Sequence, residues 1–177
     1  MPKELVMWNK TLAAVLTVGV VMGTTVSLSS FANESSGSTV AKYMRTARVS
    51  LQKGLAAAES EGQPISGKFE VDGGHFQLAV YTAKDGKFSE VLVDQNTGKV
   101  AKSEAITEGN ELADAQKQME AYSKSKTSLQ TAVERAEQTY RGYQAVSVTP
   151  TLSKGRPVAV VSLVQGTQFR SIAEPLQ

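Results

Sequence analysis

The chain has no cysteine, one histidine and one tryptophan, and aromatic residues make up 6% of its 177 positions. Each shortage closes a class of chemistry. Without cysteine there is no disulfide, no zinc–thiolate site, no thiol nucleophile and no lipid attachment through an N-terminal cysteine. With His75 as the sole histidine, a histidine-rich metal site is excluded, as is a Ser-His-Asp triad built away from His75. An excess of one charge is lacking too: 19 Lys and Arg face 17 Asp and Glu. That balance argues against a nucleic-acid binder, which carries a basic patch or stripe. Gly73-Gly74 falls between two strand patterns rather than ahead of a helix, so no phosphate-cradling loop is visible.

One long apolar run is present, from Leu12 to about Val26. Lys3 and Lys10 flank its start, and a polar stretch ending Ser30-Phe31-Ala32 follows it. Small residues at Ser30 and Ala32 fit the small-x-small cleavage rule, so residues 1–32 read as a signal peptide and Asn33 as the mature start. The rival reading is a retained membrane anchor. Against it, the run is short for a span and broken by Gly19, Gly23, Thr24 and Thr25. A thiol-free exported chain suits an oxidising compartment. The expectation is a periplasmic protein of a bacterial envelope, touching the membrane only through an uncleaved signal. Loss of Lys3, Glu4 and Lys10 with the signal takes the formal charge from +2 to about +1.

Residues 33–38 (NESSGS) read as a polar leader, and Ser38 or Thr39 can cap a helix. Val40, Met44, Ala47, Leu51, Leu55 and Ala58 recur at steps of three and four, predicting one helix that stops at Gly62 and Pro64. Strands are predicted over 68–72, 75–83 and 88–94. Gly73-Gly74 and Asp85-Gly86 join them as two-residue hairpin turns, and a short fourth strand follows Gly98. Asn110 can cap a second helical stretch, in which Leu112, Ala115, Met119, Tyr122, Leu129, Val133, Ala136 and Tyr140 stay in phase. The unbroken phase favours one helix of about 30 residues over two hinged near 123–125. Strands over 144–152, 156–164 and 168–173 close the chain, with Lys154-Gly155 as another hairpin turn.

The two halves resemble each other. Ser50-Leu51-Gln52 matches Ser128-Leu129-Gln130, and LAVYTAKDGKF (78–88) aligns with VAVVSLVQGTQF (158–169) if Thr167 is an insertion. The insertion predicts a three-residue loop that sets Phe169 opposite Leu163. The chain thus divides into residues 39–107 and 108–177, each a helical stretch followed by strands. Phe88, Val91, Val93, Asp94, Thr97, Gly98 and Val100 fall in the pattern aromatic-x-x-V-x-V-D-x-x-T-G-x-V, and with the helix before them they resemble the PepSY family over residues 40–104. Residues 126–174 fit that pattern poorly, since they lack the D-x-x-T-G ending. The resemblance implies an α+β fold of two PepSY-like repeats, each a helix on an antiparallel sheet. It also implies a non-enzymatic binding or inhibitory module.

The turns fix a register. Leu78, Val80, Val91 and Val93 join Phe69, Val71 and Phe76 on a face to be buried under the helix. The other face receives Glu70, Asp72, His75, Gln77, Tyr81, Phe88, Glu90, Leu92 and Asp94. Glu70, Gln77 and Asp94 fall in one row, the outer two about 9–10 Å apart at the backbone. Two uses follow beside plain solvation. Tyr81, Phe88 and Leu92 could contact a partner, with a peptidase or other envelope protein as its class. Alternatively, Glu70, Asp72, Glu90 and Asp94 could hold a hard cation such as calcium or a lanthanide, which prefers oxygen ligands. Asp94-Gln95-Asn96-Thr97-Gly98 resembles the start of a calcium loop but lacks its later acidic positions, and reads as a turn held by Asp94 or Asn96. With no nucleophile–base pairing in view, the expectation is a protein that is not an enzyme and takes no cofactor.

Overall fold

A computed structural model describes residues 34–177, with side chains from Gly37 onward; the signal peptide expected over residues 1–32 and its expected cleavage site lie outside the described residues. Among the described residues, four helices and seven strands follow one another as α1 (Glu34–Met44), α2 (Leu51–Ala58), β1 (Gln63–Asp72), β2 (His75–Lys84), β3 (Lys87–Val93), β4 (Val100–Ile106), α3 (Gly109–Tyr122), α4 (Leu129–Thr139), β5 (Gln144–Ser153), β6 (Arg156–Gln165) and β7 (Gln168–Pro175). All seven strands form one antiparallel sheet in the order β4-β3-β2-β1-β5-β6-β7. The fold is α+β, as the alternation and turn chemistry predict.

The hairpins follow their turn residues. Gly73-Gly74, Asp85-Gly86 and Lys154-Gly155 all adopt positive φ at both positions, as a type I′ turn requires. They set Asp72 opposite His75, Glu70 opposite Gln77, Tyr81 opposite Glu90 and Leu78 opposite Val93. The last hairpin differs from the expectation. Gln165 pairs with Gln168 around a two-residue loop, and Phe169 faces Val164 rather than Leu163. Gly166 alone takes the positive φ there, the place glycine holds in a type II′ turn. Thr167 is therefore no insertion, and 78–88 matches 159–169 without a gap.

Both helical stretches are broken, where the apolar phase predicted continuous helices. The cause is the same in each. The N–H groups of Arg48 and Val49 both donate to the carbonyl of Gln95, and those of Lys126 and Thr127 both donate to the carbonyl of Leu176. Each carbonyl belongs to a residue just past a third strand. These long-range bonds take N–H groups that a continuous helix would have used internally. A serine then restarts each helix: Ser50 Oγ accepts from the Lys53 N–H at 3.3 Å and Ser128 Oγ from the Thr131 N–H at 3.1 Å. The first helix also begins at Glu34, so part of the expected leader is helical.

The two halves meet where β1 pairs with β5. Gly67 pairs directly with Val148 at the centre of the sheet. β1 and β5 each carry an irregularity after their second residue, between Pro64 and Ser66 and between Ala145 and Ser147. α2 and α4 lie together on one face of the sheet and exchange reciprocal hydrogen bonds: Gln52 Nε2 donates to Glu137 Oε2 at 2.7 Å, and Gln130 Nε2 to Glu59 Oε1 at 2.8 Å. Beneath them Leu51, Leu55, Leu78, Val80, Leu129, Val133, Val161 and Leu163 are at most 1% exposed. Burying each such side chain contributes about 1.5–3 kcal/mol. α1 enters this core through Met44 and through a stack of Tyr43, Phe76 and Phe69 with ring centroids 5.5 Å apart.

The opposite face is not left open. α3 crosses it, since the Ser66 hydroxyl donates to Gln118 Oε1 at 2.6 Å and the Tyr81 hydroxyl lies 3.1 Å from Glu111 Oε1. The sequence reading, which gave this face to solvent, a partner or a hard cation and placed no helix on it, is corrected here. Ala115 and Ala121 are the buried residues of α3, so polar contacts hold much of this helix.

Candidate functional site

The chemistry-bearing side chains of the first half gather on the face that α3 partly covers. β1 supplies Lys68 and Glu70, β2 supplies Gln77 and Tyr81, β3 supplies Glu90, and α3 brings Glu111. Alternation puts the strand residues on one face, and the hairpin registers align them across it. Lys68 Nζ lies 2.6 Å from Glu70 Oε2 and 5.7 Å from the centre of the Tyr81 ring. Gln77 Nε2 donates to Glu70 Oε1 at 3.1 Å. The Tyr81 hydroxyl sits 3.2 Å from Glu90 Oε1 and 3.1 Å from Glu111 Oε1, one proton between two carboxylates. Glu90 also faces Glu104 directly across the β3–β4 pair, while Lys102 Nζ holds Glu104 at 2.7 Å.

This crowding perturbs both groups at its centre. Burial, then the charges of Glu90, Glu111 and Glu70, push the Tyr81 phenol far above its ordinary value. It stays protonated, as a donor. Burial, then the charges of Glu70 and Glu111, push the Glu90 carboxyl up, against a smaller lowering by the Tyr81 hydrogen bond and Lys68.

Of the four proposed cation ligands, Glu70 and Glu90 join this cluster. Asp72 is exposed at the first hairpin tip, opposite the exposed His75. Asp94 does not extend the row through Gln77, because the β2–β3 ladder ends at Leu78 and Val93. Its Oδ1 instead accepts from the N–H groups of Asn96 and Thr97 and from the Thr97 hydroxyl, at 3.1, 2.7 and 2.9 Å. These bonds, those of Thr97 foremost, hold its carboxyl below the usual range. Among the described residues, no three of His, Cys, Asp and Glu are gathered closely enough to hold a metal ion.

The three partner-contact candidates, Tyr81, Phe88 and Leu92, are half-buried on this face. Phe88 faces Ile106 and Leu92 faces Lys102 across the β3–β4 pair. Sequence reasoning missed Glu111, Lys102 and Glu104. Glu111 is an acidic residue in the first turn of a helix, and no local signal says which strand such a residue will meet. A shallow crevice at the α3–α4 connection, lined by Met119, Tyr122, Lys126 and Thr127 among others, lies apart from this cluster.

No family model matches the chain, and no curated protein matches it. Among solved structures, a protein of Clostridium difficile 630 described as a "putative lipoprotein" (CD1622) is similar at 15% identity, covering 67% of this chain and 78% of that one with a TM-score of 0.41. No helix among the described residues is long and apolar enough to cross a membrane.

Proposed function

We propose that this chain is a non-catalytic, exported binding module of two PepSY-like repeats, which contacts a peptidase or another envelope protein through the α3-bearing face of its first half. The observation that carries this reading is the one-sidedness of that face. Tyr81, Phe88 and Leu92 stand beside Lys68, Glu70 and Glu90, whereas matched strand positions in the second half hold Ser162, Phe169 and Ala173 beside Thr149, Thr151 and Ser171. A half-buried apolar strip bordered by charges of both signs suits a protein contact. Protein contact is favoured over a hard cation because Asp94 is engaged by its own turn and Glu70 by Lys68. Catalysis is disfavoured because His75 sits exposed at a hairpin tip and makes no hydrogen bond with a base or nucleophile among the described residues. The signal expected over residues 1–32 supports a periplasmic setting.

A photo-cross-linker placed at Leu92 in the producing cell tests the proposal, with Lys154 as the control position. A discrete adduct from Leu92, lost in Phe88→Ala, supports the contact. Equal labelling from both positions rejects it. Thermal melts with chelator, calcium and a lanthanide decide the cation alternative. A bound cation at a hundred times its Kd stabilises by about 2.7 kcal/mol, and Glu70→Gln with Asp94→Asn would abolish that gain.

A further inference from the structure

We propose that the first turns of α3 are a proton-operated latch on the sheet, closed while the Glu90 carboxyl is protonated and released once it ionises beside Glu111. The latch concerns how α3 is held and does not depend on the partner contact proposed above. The helix is fastened unequally at its two ends. Past its C-terminal end, the N–H groups of Lys126 and Thr127 are both bonded to the Leu176 carbonyl. Ala121 is buried there, and the Ser66 hydroxyl holds Gln118 at 2.6 Å. At the N-terminal end, Glu108 makes no side-chain cap, and Gly109 is exposed with a φ of +76°. An uncapped end lacks the side-chain acceptor that would steady its first N–H groups. Leu112 is half-buried, and Glu111 ties this first turn to the sheet through the Tyr81 hydroxyl at 3.1 Å.

That tie has one proton for two carboxylates, since the Tyr81 hydroxyl also lies 3.2 Å from Glu90 Oε1. With Glu90 protonated, its carboxyl donates to the Tyr81 oxygen and the Tyr81 hydroxyl donates to Glu111, so every group is satisfied. Loss of the Glu90 proton leaves one hydroxyl shared by two anions that repel each other across it. The neighbours set the sense of the switch. From β1, Glu70 adds a third negative charge and Lys68 opposes it, with Lys68 bound to Glu70 at 2.6 Å. From β4, Glu104 faces Glu90 across the ladder while Lys102 holds Glu104 at 2.7 Å. On α3, Asp114 is paired with Lys117 at 3.5 Å. Burial, then the charges of Glu70 and Glu111, keep the proton on Glu90 beyond the ordinary carboxyl range. Lifting α3 takes Glu111 away and hydrates Glu90, so the open form gives up that proton more readily. By linkage, the latch weakens as pH rises through the closed-form value.

Amide hydrogen exchange on the chain as purified from the producing cell tests this, each rate being divided by the intrinsic rate at the same pH. Protection of the α3 amides from Ala113 onward should fall about tenfold between about pH 5 and about pH 8, with α4 amides unchanged. Glu90→Gln keeps a neutral group beside Tyr81 and should flatten that profile at its protected level. If Glu90→Gln does not fold, Glu111→Gln decides, because it removes the facing charge and should take away most of the slope. A flat α3 profile in the parent, a parallel loss in α4, or a slope that survives these substitutions would overturn the proposal.

Discussion

From α2 to β3 and from α4 to β7 the two halves of this molecule share one order of elements with different side chains, and the differences fall into three kinds. In the core they compensate. Gly54 lies so close to Leu78 that an added Cβ would sit 2.0 Å from Leu78 Cδ2, while the matched pair in the second half is Ala132 and Ala159, both fully buried. One half packs a glycine against a leucine, and the other carries buried alanine at both matched places. At the helix–strand junction they diverge by one hydrogen bond. Glu137 accepts from both Gln52 and the Ala145 N–H, the latter at 2.8 Å. Its counterpart Glu59 accepts from Gln130, and Pro64, standing where Ala145 does, has no N–H to give. On the α3-bearing face, charges and a tyrosine in one half are hydroxyl residues in the other. Volume at the core had to be conserved, because interiors are close-packed. The half-exposed face was free to diverge, and that is where function is best sought.

The core comparison breaks most sharply. Leu78→Ala should destabilise by about 2–5 kcal/mol, and Gly54→Ala by about 1–3 kcal/mol through overpacking, despite alanine's better helix propensity. The double substitution recreates the second half's pairing. Its cost in a denaturant melt should fall short of the sum by about 0.5–3 kcal/mol. Additive costs would mean that the two pairs are not equivalent.

The junction comparison is next in size. Glu137→Ala removes a charged acceptor from two part-buried donors and should cost about 1.5–3 kcal/mol, against less than about 1 kcal/mol for the exposed Glu59→Ala. Equal unfolding free energies for the two variants would refute the asymmetry.

The face comparison is smaller and depends on pH. The Glu90 carboxyl is raised in the folded chain, so its contribution is fully present below the unfolded carboxylate value and is lost as pH rises through the folded one. Stability should therefore decline on that upward passage, and Glu90→Gln should remove this part of the decline. Serine stands at the matched place, Ser171, so the second half adds no such slope. A melting temperature whose pH profile is unchanged by Glu90→Gln would show that the cluster is relaxed in solution.

Smallest is the effect at the turn after β3. Asp94 is held below the usual carboxyl range, so its stabilisation is present above the unfolded value and is lost as pH falls through the folded one. Asp94→Asn should lessen the acid sensitivity without changing the neutral melt much, as read by circular dichroism between pH 5 and about pH 2. A variant as acid-sensitive as the parent would place the turn's stability in the Gly98 backbone instead.

Much of this could be read in the sequence, and what could was local. Asp85-Gly86 and Gly73-Gly74 permit one kind of turn, the turn sets the register, and the register puts Tyr81 beside Glu90. Gly166-Thr167 carried the same kind of information, but an alignment starting at Val158 instead of Ala159 concealed it behind a false insertion. The matching Ser-Leu-Gln triplets stand at the starts of α2 and α4, and Gln52 and Gln130 are the residues whose side chains join those helices.

The remainder depended on distant partners. The phase of Val40 through Ala58, and of Leu112 through Tyr140, is a true helical phase; nothing within it announces that the carbonyls of Gln95 and Leu176 will take the N–H groups that continuity needs. The cluster around Tyr81 was visible in its strand members, while Glu111 joined it only because α3 folds across the sheet. The sequence by itself determined the Gly73-Gly74, Asp85-Gly86 and Lys154-Gly155 turns, the registers of β1 with β2 and of β2 with β3 from Leu78 to Ala83, and the buried face of those strands, since each is decided within a few residues by steric and hydrogen-bonding rules; the expected caps Ser38, Thr39 and Asn110 lie inside helices instead. Where the helices break and which face α3 covers were decided by the tertiary structure alone, because groups far apart in the chain compete for the same hydrogen bonds.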